Sequence, residues 1–214
     1  MGINIAIDGP AGAGKSTIAK KEAKELSFIY VDTGAMYRAM ALYLLEKGIS
    51  GDEKISEACH DADISIRYEN GDQQVILNGK NVTAFLRKEE VGNMASVSSA
   101  NPEVRAHLLK LQRNLAAENN VVMDGRDIGT TILPNAEVKI FLTASAKTRA
   151  SRRYLELTEK GEACDMDERD ERDMNRAVSP LKKAEDAVLV DSSEMGIDEV
   201  VESILSVYRK RVNG

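Results

Sequence analysis

The sequence predicts an α/β fold, a doubly wound five-stranded parallel sheet carrying a small antiparallel β insert. Three observations predict it. Short apolar runs recur along the chain, each followed by a stretch with helical apolar spacing, the pattern of βαβ units. A glycine-rich segment joins the first apolar run to the first helical stretch. One segment breaks the rhythm with period-two alternation and two Asn-Gly turns.

Taken in order, residues 3–7 form the first strand, and Thr17-Ile18-Ala19-Lys20 opens a helix. Phe28-Ile29-Tyr30-Val31 is the second strand and ends at Asp32-Thr33-Gly34. A helix follows over 35–46, with Met36, Met40 and Leu44 on one stripe and Ala39 and Tyr43 beside it. Residues 64–68 alternate, Asn70-Gly71 turns the chain, residues 74–77 return, and Asn78-Gly79 turns it again. That is the inserted antiparallel sheet. Helical patterns over about 102–118, 146–160 and 197–211 then surround apolar runs at Val121-Val122-Met123, 138–142 and 187–190. The result is five strands with helices between them, enough for one doubly wound domain. At ~150 residues per domain, the 214 residues make one domain plus an insert, so 1–214 reads as a single unit.

Hydrophobic residues make up 43% and charged residues 30%, the balance of a globular chain. Lys+Arg is 29 against 35 Asp+Glu, a formal charge of −6. That total argues against nucleic acid or an anionic membrane surface as the main partner. Cys59 and Cys164 stand too far apart for a metal knuckle, and neither His60 nor His107 has a second ligand at metal spacing. The start lacks a basic leader, and no apolar run approaches ~18 residues. A soluble, cytoplasmic protein is expected.

Gly9-Pro10-Ala11-Gly12-Ala13-Gly14-Lys15-Ser16 fits the phosphate-binding pattern G-x-x-x-x-G-K-[ST], and Thr17 follows it. The glycines let backbone N–H groups turn inward around a phosphate chain at a helix N-terminus. Lys15 then stands between β- and γ-phosphates, and the Ser16 hydroxyl is a ligand for Mg²⁺. The chain is expected to bind a nucleoside triphosphate. It has no N-K-x-D segment to read guanine. Asp124-Gly125-Arg126-Asp127 follows the third strand, with an arginine where a mechanical ATPase would carry a second acid. Arg38 and Arg126 each lie just past a strand, where they aim fixed cations into the ligand crevice of such folds. They suggest a second anionic group beside the triphosphate. Arg149, Arg152 and Arg153 share one helix, and Arg169, Arg172 and Arg176 form a ladder. Arg152 and Arg172 are open to the plainer reading of solvated helix faces, since Asp170, Glu171 and Asp173 are interleaved with that ladder.

Four blocks together resemble the bacterial-type cytidylate kinases, which phosphorylate CMP and dCMP. These are the segment from Asp8 to Thr17, Asp32-Thr33-Gly34-Ala35-Met36-Tyr37-Arg38, Asp124-Gly125-Arg126-Asp127-Ile128-Gly129-Thr130, and Asn175-Arg176-Ala177-Val178-Ser179-Pro180-Leu181. The resemblance implies a P-loop nucleoside monophosphate kinase. Its β insert, over about 62–95, would bind CMP, and a helical lid over about 147–168 would close on ATP. It implies Thr33, Ser96, Arg105 and Asp127 at the cytosine base, Arg38, Arg126 and Arg176 at the acceptor phosphate, and Arg169 and Asp173 at the sugar. Arg149 and Arg153 would meet the ATP phosphates. The chemistry is compatible, because cytosine offers an amine donor to a carboxylate or hydroxyl and ring acceptors to an arginine. The link Glu162 to Glu168 is shorter than the family's acidic helical stretch, so a truncated or differently hinged lid is expected.

The expected reaction is transfer of the γ-phosphoryl of ATP, with Mg²⁺, to CMP or dCMP by a monomeric enzyme. Lys15, Arg126, Arg176, Arg149 and Arg153 supply charge and alignment, while Ser16 and Asp32 serve the metal, Asp32 by ordering its bound water. Two alternatives stand beside it, a P-loop kinase of a small alcohol or sugar, and an ATPase switch.

Overall fold

The computed structural model describes residues 2–158 and 166–212, the side chains of 153–158 and 166–169 excepted. Its main sheet is five-stranded, parallel, and built from β1 (Asn4–Asp8), β2 (Ile29–Asp32), β6 (Val121–Gly125), β7 (Val138–Thr143) and β8 (Val188–Asp191). The spatial order is β2-β6-β1-β7-β8. The chain moves outward from β1 to β2, returns to fill the gap with β6, and then crosses to β7. Ligands in such sheets bind beyond the carboxyl ends of the strands, at the point where the order reverses.

Parallel strands are covered on both faces, so alternate residues feed two separate cores. Ala6, Val31, Val121 and Met123 face one layer with Met36, Met40 and Leu44 of α2 (Thr33–Glu46) and Leu108 of α5 (Pro102–Glu118). Ile5, Ile7, Val122 and Ile140 face the other, against Ile18 of α1 (Lys15–Leu26) and Ile204 of α8 (Ile197–Val212). Burying each Val, Leu, Ile or Met side chain among these contributes ~1.5–3 kcal/mol. Glu22 is a charged residue set among the apolar positions of α1. It is fully buried, and neither carboxylate oxygen has a hydrogen-bond partner among the described residues. Burial, aided by nearby Glu25, pushes its carboxyl up to about 8.

The remaining helices are α3 (Asp52–Ala58), α4 (Glu89–Ser98), α6 (Ala146–Thr158) and α7 (Met166–Asn175). Apolar spacing did not foretell α3 and α4, which are short and have mixed sequences. Asn101 caps α5 by accepting from Glu103 N at 3.0 Å and Val104 N at 3.2 Å, with Pro102 in the first turn. None of the described helices is long and apolar enough to cross a membrane.

The second sheet is antiparallel, with β3 (Ile64–Glu69), β4 (Asp72–Leu77) and β5 (Lys80–Asn81) in that order. Asn70 and Gly71 have φ of 54° and 84°, and Asn78 and Gly79 have 49° and 79°. Two successive positive φ values are what a tight two-residue hairpin turn of matching twist requires. Tyr68 of β3 stands directly across from Gln73 of β4. Gln73 in turn meets the edge of the main sheet. Its side-chain oxygen accepts from Asp32 N at 2.9 Å, and its nitrogen donates to Asp32 O at 3.1 Å.

Candidate active site

The carboxyl ends of β1, β2 and β6 open into a cavity of about 270 Å³. The Gly9–Thr17 loop forms its floor, between β1 and α1. Gly9 has φ of 150°, and a Cβ there would come within 1.9 Å of the Leu142 carbonyl on neighbouring β7. Only glycine lets the loop leave the sheet at that point. Lys15 is the first residue of α1 and nearly buried, and its Nζ donates to the Pro10 carbonyl at 2.7 Å. Burial and the Arg126 cation push its pKa down, opposed by Asp124, Asp170 and Asp8.

Ser16 Oγ donates to Asp124 Oδ2 at 2.7 Å, and Tyr30 Oη donates to Asp124 Oδ1 at 3.2 Å. Asp124 is buried at the end of β6, and β6 places it level with Asp32 of β2. Burial, and then Asp32, raise its carboxyl above the usual range. A serine hydroxyl on one of two neighbouring carboxylates suits a hard cation whose other ligands are phosphate oxygens and water. No group of three His, Cys, Asp or Glu among the described residues could hold a metal by itself. Mg²⁺ carried by a nucleotide therefore fits Ser16, Asp124 and Asp32. Asp124 is the residue that sequence reasoning passed over. Its signal was its place, the first acid after an apolar strand that the fold sets beside β1.

Asp8, at the end of β1, accepts from Ile128 N at 2.7 Å and Gly129 N at 2.8 Å. It thereby ties the loop after β6 to the strand that carries the phosphate loop. Burial pushes its carboxyl up to about 6, against those two amide bonds. Thr33 Oγ1 donates to the Asp124 carbonyl at 2.7 Å, drawing the start of α2 onto the end of β6. A Cβ at Gly125 would lie 2.8 Å from Thr33 Oγ1 and 2.6 Å from Ile128 Cδ1, so this approach also requires glycine.

The opposite wall is a lattice of paired charges. Asp127 accepts from Arg176 Nη2 at 3.0 Å and is also ion-paired with Arg105 Nη2. Arg126 Nε donates to Asp173 Oδ2 at 2.9 Å, and Arg176 Nη1 lies 3.7 Å from Asp173 Oδ1. Arg105 also donates to the Ser99 carbonyl at 3.2 Å and lies over the Tyr37 ring. Arg38 lines the cavity, and among the described residues it has no ion pair or hydrogen bond. Ser96, on α4, also lines it, and its buried Oγ has no partner among the described residues. A buried hydroxyl without a partner is costly unless a ligand completes it.

Thr33, Arg38, Ser96, Arg105, Arg126, Asp127, Asp173 and Arg176 thus all line one cavity with Lys15, Ser16 and Asp32. The side chains of Arg153 and Arg169, and residues 159–165 of the expected lid, lie outside the described residues. Arg149 ion-pairs with Asp170 and donates to the Ala11 carbonyl at 3.0 Å, while Asp170 accepts from Ala11 N at 2.9 Å. Arg152 is not on a solvated face. Its Nη1 donates to the Ala13 carbonyl at 3.3 Å and to Ser192 Oγ at 3.0 Å, and its Nη2 donates to the Ser192 carbonyl at 2.8 Å. Nothing along the helix itself signals this role, because the partners come from loops distant in sequence.

A phosphate loop after β1, a serine–aspartate pair for a metal, and a wall of guanidinium groups facing both define a P-loop kinase. Residues 5–210 match the family described as cytidylate kinase, and the chain belongs to that family. It is 51% identical to a cytidylate kinase of Caldicellulosiruptor bescii over 98% of this chain and 97% of the relative. It is 49% identical to one from Listeria monocytogenes serotype 4a over 99% and 98% respectively. Among solved structures, a gluconokinase from Sinorhizobium meliloti covers 99% of this chain and 94% of its own, with a TM-score of 0.53 and 13% identity. That likeness shows the fold alone.

Proposed function

We infer that the protein transfers the γ-phosphoryl group of ATP to CMP or dCMP, giving CDP or dCDP and ADP. An oxygen of the acceptor 5′-phosphate bonds to the γ-phosphorus as the bond to the β,γ-bridging oxygen breaks. The single observation that carries the reading is one cavity holding two different halves. One is a backbone phosphate cradle with Lys15. The other is lined by Thr33, Ser96, Arg105 and Asp127, which we assign to the base, beside Arg38, Arg126 and Arg176.

Two polyanions must meet in line, so the protein has to supply positive charge and alignment more than bond-making groups. The loop amides and Lys15 hold the donor phosphates. Arg38, Arg126 and Arg176 draw in the acceptor phosphate, and Asp173 holds Arg126 in place. Bound Mg²⁺ would neutralise charge on the donor phosphates, held by Ser16 and Asp124, with Asp32 orienting its water. An acceptor phosphate with a second pKa of ~6 is already largely deprotonated at neutral pH, so no general base is required. Asp127, with guanidinium groups on both its oxygens, is held rigidly as a hydrogen-bond acceptor, which suits the cytosine amine. That favours the nucleotide acceptor over an alcohol. Arg149 and Arg153 reach the donor phosphates as residues 147–168 close, and residues 62–95 close on CMP. Arg169 and Asp173 reach the sugar. The enzyme acts as a cytoplasmic monomer.

Coupled ADP release with CMP, dCMP, UMP, AMP and shikimate as acceptors tests the reading. Turnover with CMP or dCMP is expected to exceed the others by at least about tenfold, a discrimination of the size that polar base contacts supply. Turnover with shikimate but not CMP would overturn it.

A further inference from the structure

One edge of the main sheet is β2, since β6 pairs only its inner side. An edge strand presents unpaired N–H and C=O groups and needs a cover. Here two side chains of the hairpin provide it. Tyr68 Oη donates to the Tyr30 carbonyl at 3.0 Å, and the Gln73 amide both accepts from Asp32 N and donates to Asp32 O. Tyr68 and Gln73 are cross-strand partners, so they present these groups together from one face of the hairpin. The Gln73 amide acts as a surrogate peptide unit, adding one rung to the sheet without adding a strand.

The clamped residue is no ordinary edge position. Asp32 caps α2, its Oδ1 accepting from Ala35 N at 3.0 Å, and its side chain lines the cavity. Thr33 follows it directly, and Arg38 stands on the same helix. Three site residues therefore depend on where this turn lies. Hydrogen bonds fix its backbone from the hairpin side through Gln73 and from the β6 side through Thr33.

We propose that Gln73, assisted by Tyr68, is a positioning residue for the acceptor nucleotide, clamping the β2–α2 turn so that Thr33 and Arg38 are set before CMP arrives. This deepens the CMP kinase reading and rests on it. Gln73 does not line the active-site cavity. It acts through the Asp32 backbone, while the Asp32 carboxylate keeps its own anchor on Ala35 N, so its loss weakens acceptor binding far more than donor binding.

Gln73→Leu removes both hydrogen bonds at nearly constant volume, and Tyr68→Phe removes only the hydroxyl. For Gln73→Leu, KM for CMP should rise about tenfold, the scale of two lost neutral hydrogen bonds. KM for ATP and kcat should stay within about twofold. Tyr68→Phe should move KM for CMP by about threefold in the same direction, and it keeps the test alive if the first variant does not fold. Amide hydrogen exchange reads the clamp without any substrate, and the Asp32 N–H should lose protection in Gln73→Leu. Unchanged KM for CMP in both variants would overturn the proposal, as would parallel losses in kcat and both KM values alongside a lowered Tm. Failure of the parent enzyme to use CMP while Gln73→Leu still exposes the Asp32 amide would sink the substrate reading and leave the clamp standing.

Discussion

In the reaction we propose, the two halves of the cavity hold phosphate by opposite means. On the donor side the recognition groups are backbone amides, and Gly9 lets the chain reach the shape that aims them. Arg149, Arg152 and Asp170 brace that loop from behind through its own amide and carbonyl groups. On the acceptor side the recognition groups are side chains, and each holds another. Asp127 sits between Arg105 and Arg176, and Asp173 between Arg126 and Arg176. A backbone cradle tolerates change in the side chains around it. A charge lattice does not, because removing one member leaves its partners buried and uncompensated.

The largest expected effect breaks the donor side at its buried lysine. Lys15→Ala should lower kcat about 10³-fold, the cost of losing a positioned cation at developing charge. CMP affinity measured by calorimetry should change less than about twofold, because the lattice does not include Lys15. Next comes the lattice itself. Asp127→Asn should raise KM for CMP about thirtyfold and erode the preference for CMP over UMP, with a smaller change in kcat. Collapse of turnover at unchanged CMP affinity would mean that Asp127 accepts a proton, as an alcohol kinase would need. Arg152→Ala removes a brace rather than a recognition group, so KM for ATP should rise only about fivefold while KM for CMP holds.

The smallest effect on activity concerns Glu22, the charge that neither half uses. Its carboxyl is pushed from 4.5 up to about 8 in the folded protein. The folded state therefore keeps a proton that the unfolded chain releases. Its stabilising contribution is complete below about pH 4.5, drains as pH rises, and is gone above about pH 8. Glu22→Gln does not titrate, so the variant should gain about 5 °C in Tm over the parent at pH 8 relative to the difference at pH 5. A scanning calorimetry series across that range reads it, and kcat should hold within about twofold.

This contrast also explains what could be read in advance. The strands, both Asn-Gly turns and the phosphate loop depend on local rules, namely period, turn chemistry and glycine spacing, so they were legible in the sequence. The residue types of the acceptor wall were legible too, through the family resemblance, but their pairing was not. Asp127 and Arg176 are 49 positions apart and Arg126 and Asp173 are 47 apart. Nothing local encodes such partners. Arg152 shows the same limit, since Ala13 and Ser192 reach it only after two loops have converged on its helix. Ser96 carries no pattern of its own, and only a buried hydroxyl without a partner marks it in the fold.

Arg38 has a consequence for kinetics. A chain of net charge −6 must admit a ligand that is itself an anion, so long-range repulsion opposes each encounter. The guanidinium groups of Arg105, Arg126 and Arg176 already spend their fields on carboxylates. Arg38, unpaired among the described residues, is left to attract an approaching phosphate at short range. With a Debye length of ~8 Å at physiological salt, overall repulsion is damped while that final attraction survives. Capture of the acceptor should therefore tolerate, and even gain from, moderate ionic strength, a trait that suits an acidic enzyme working in a salty solution.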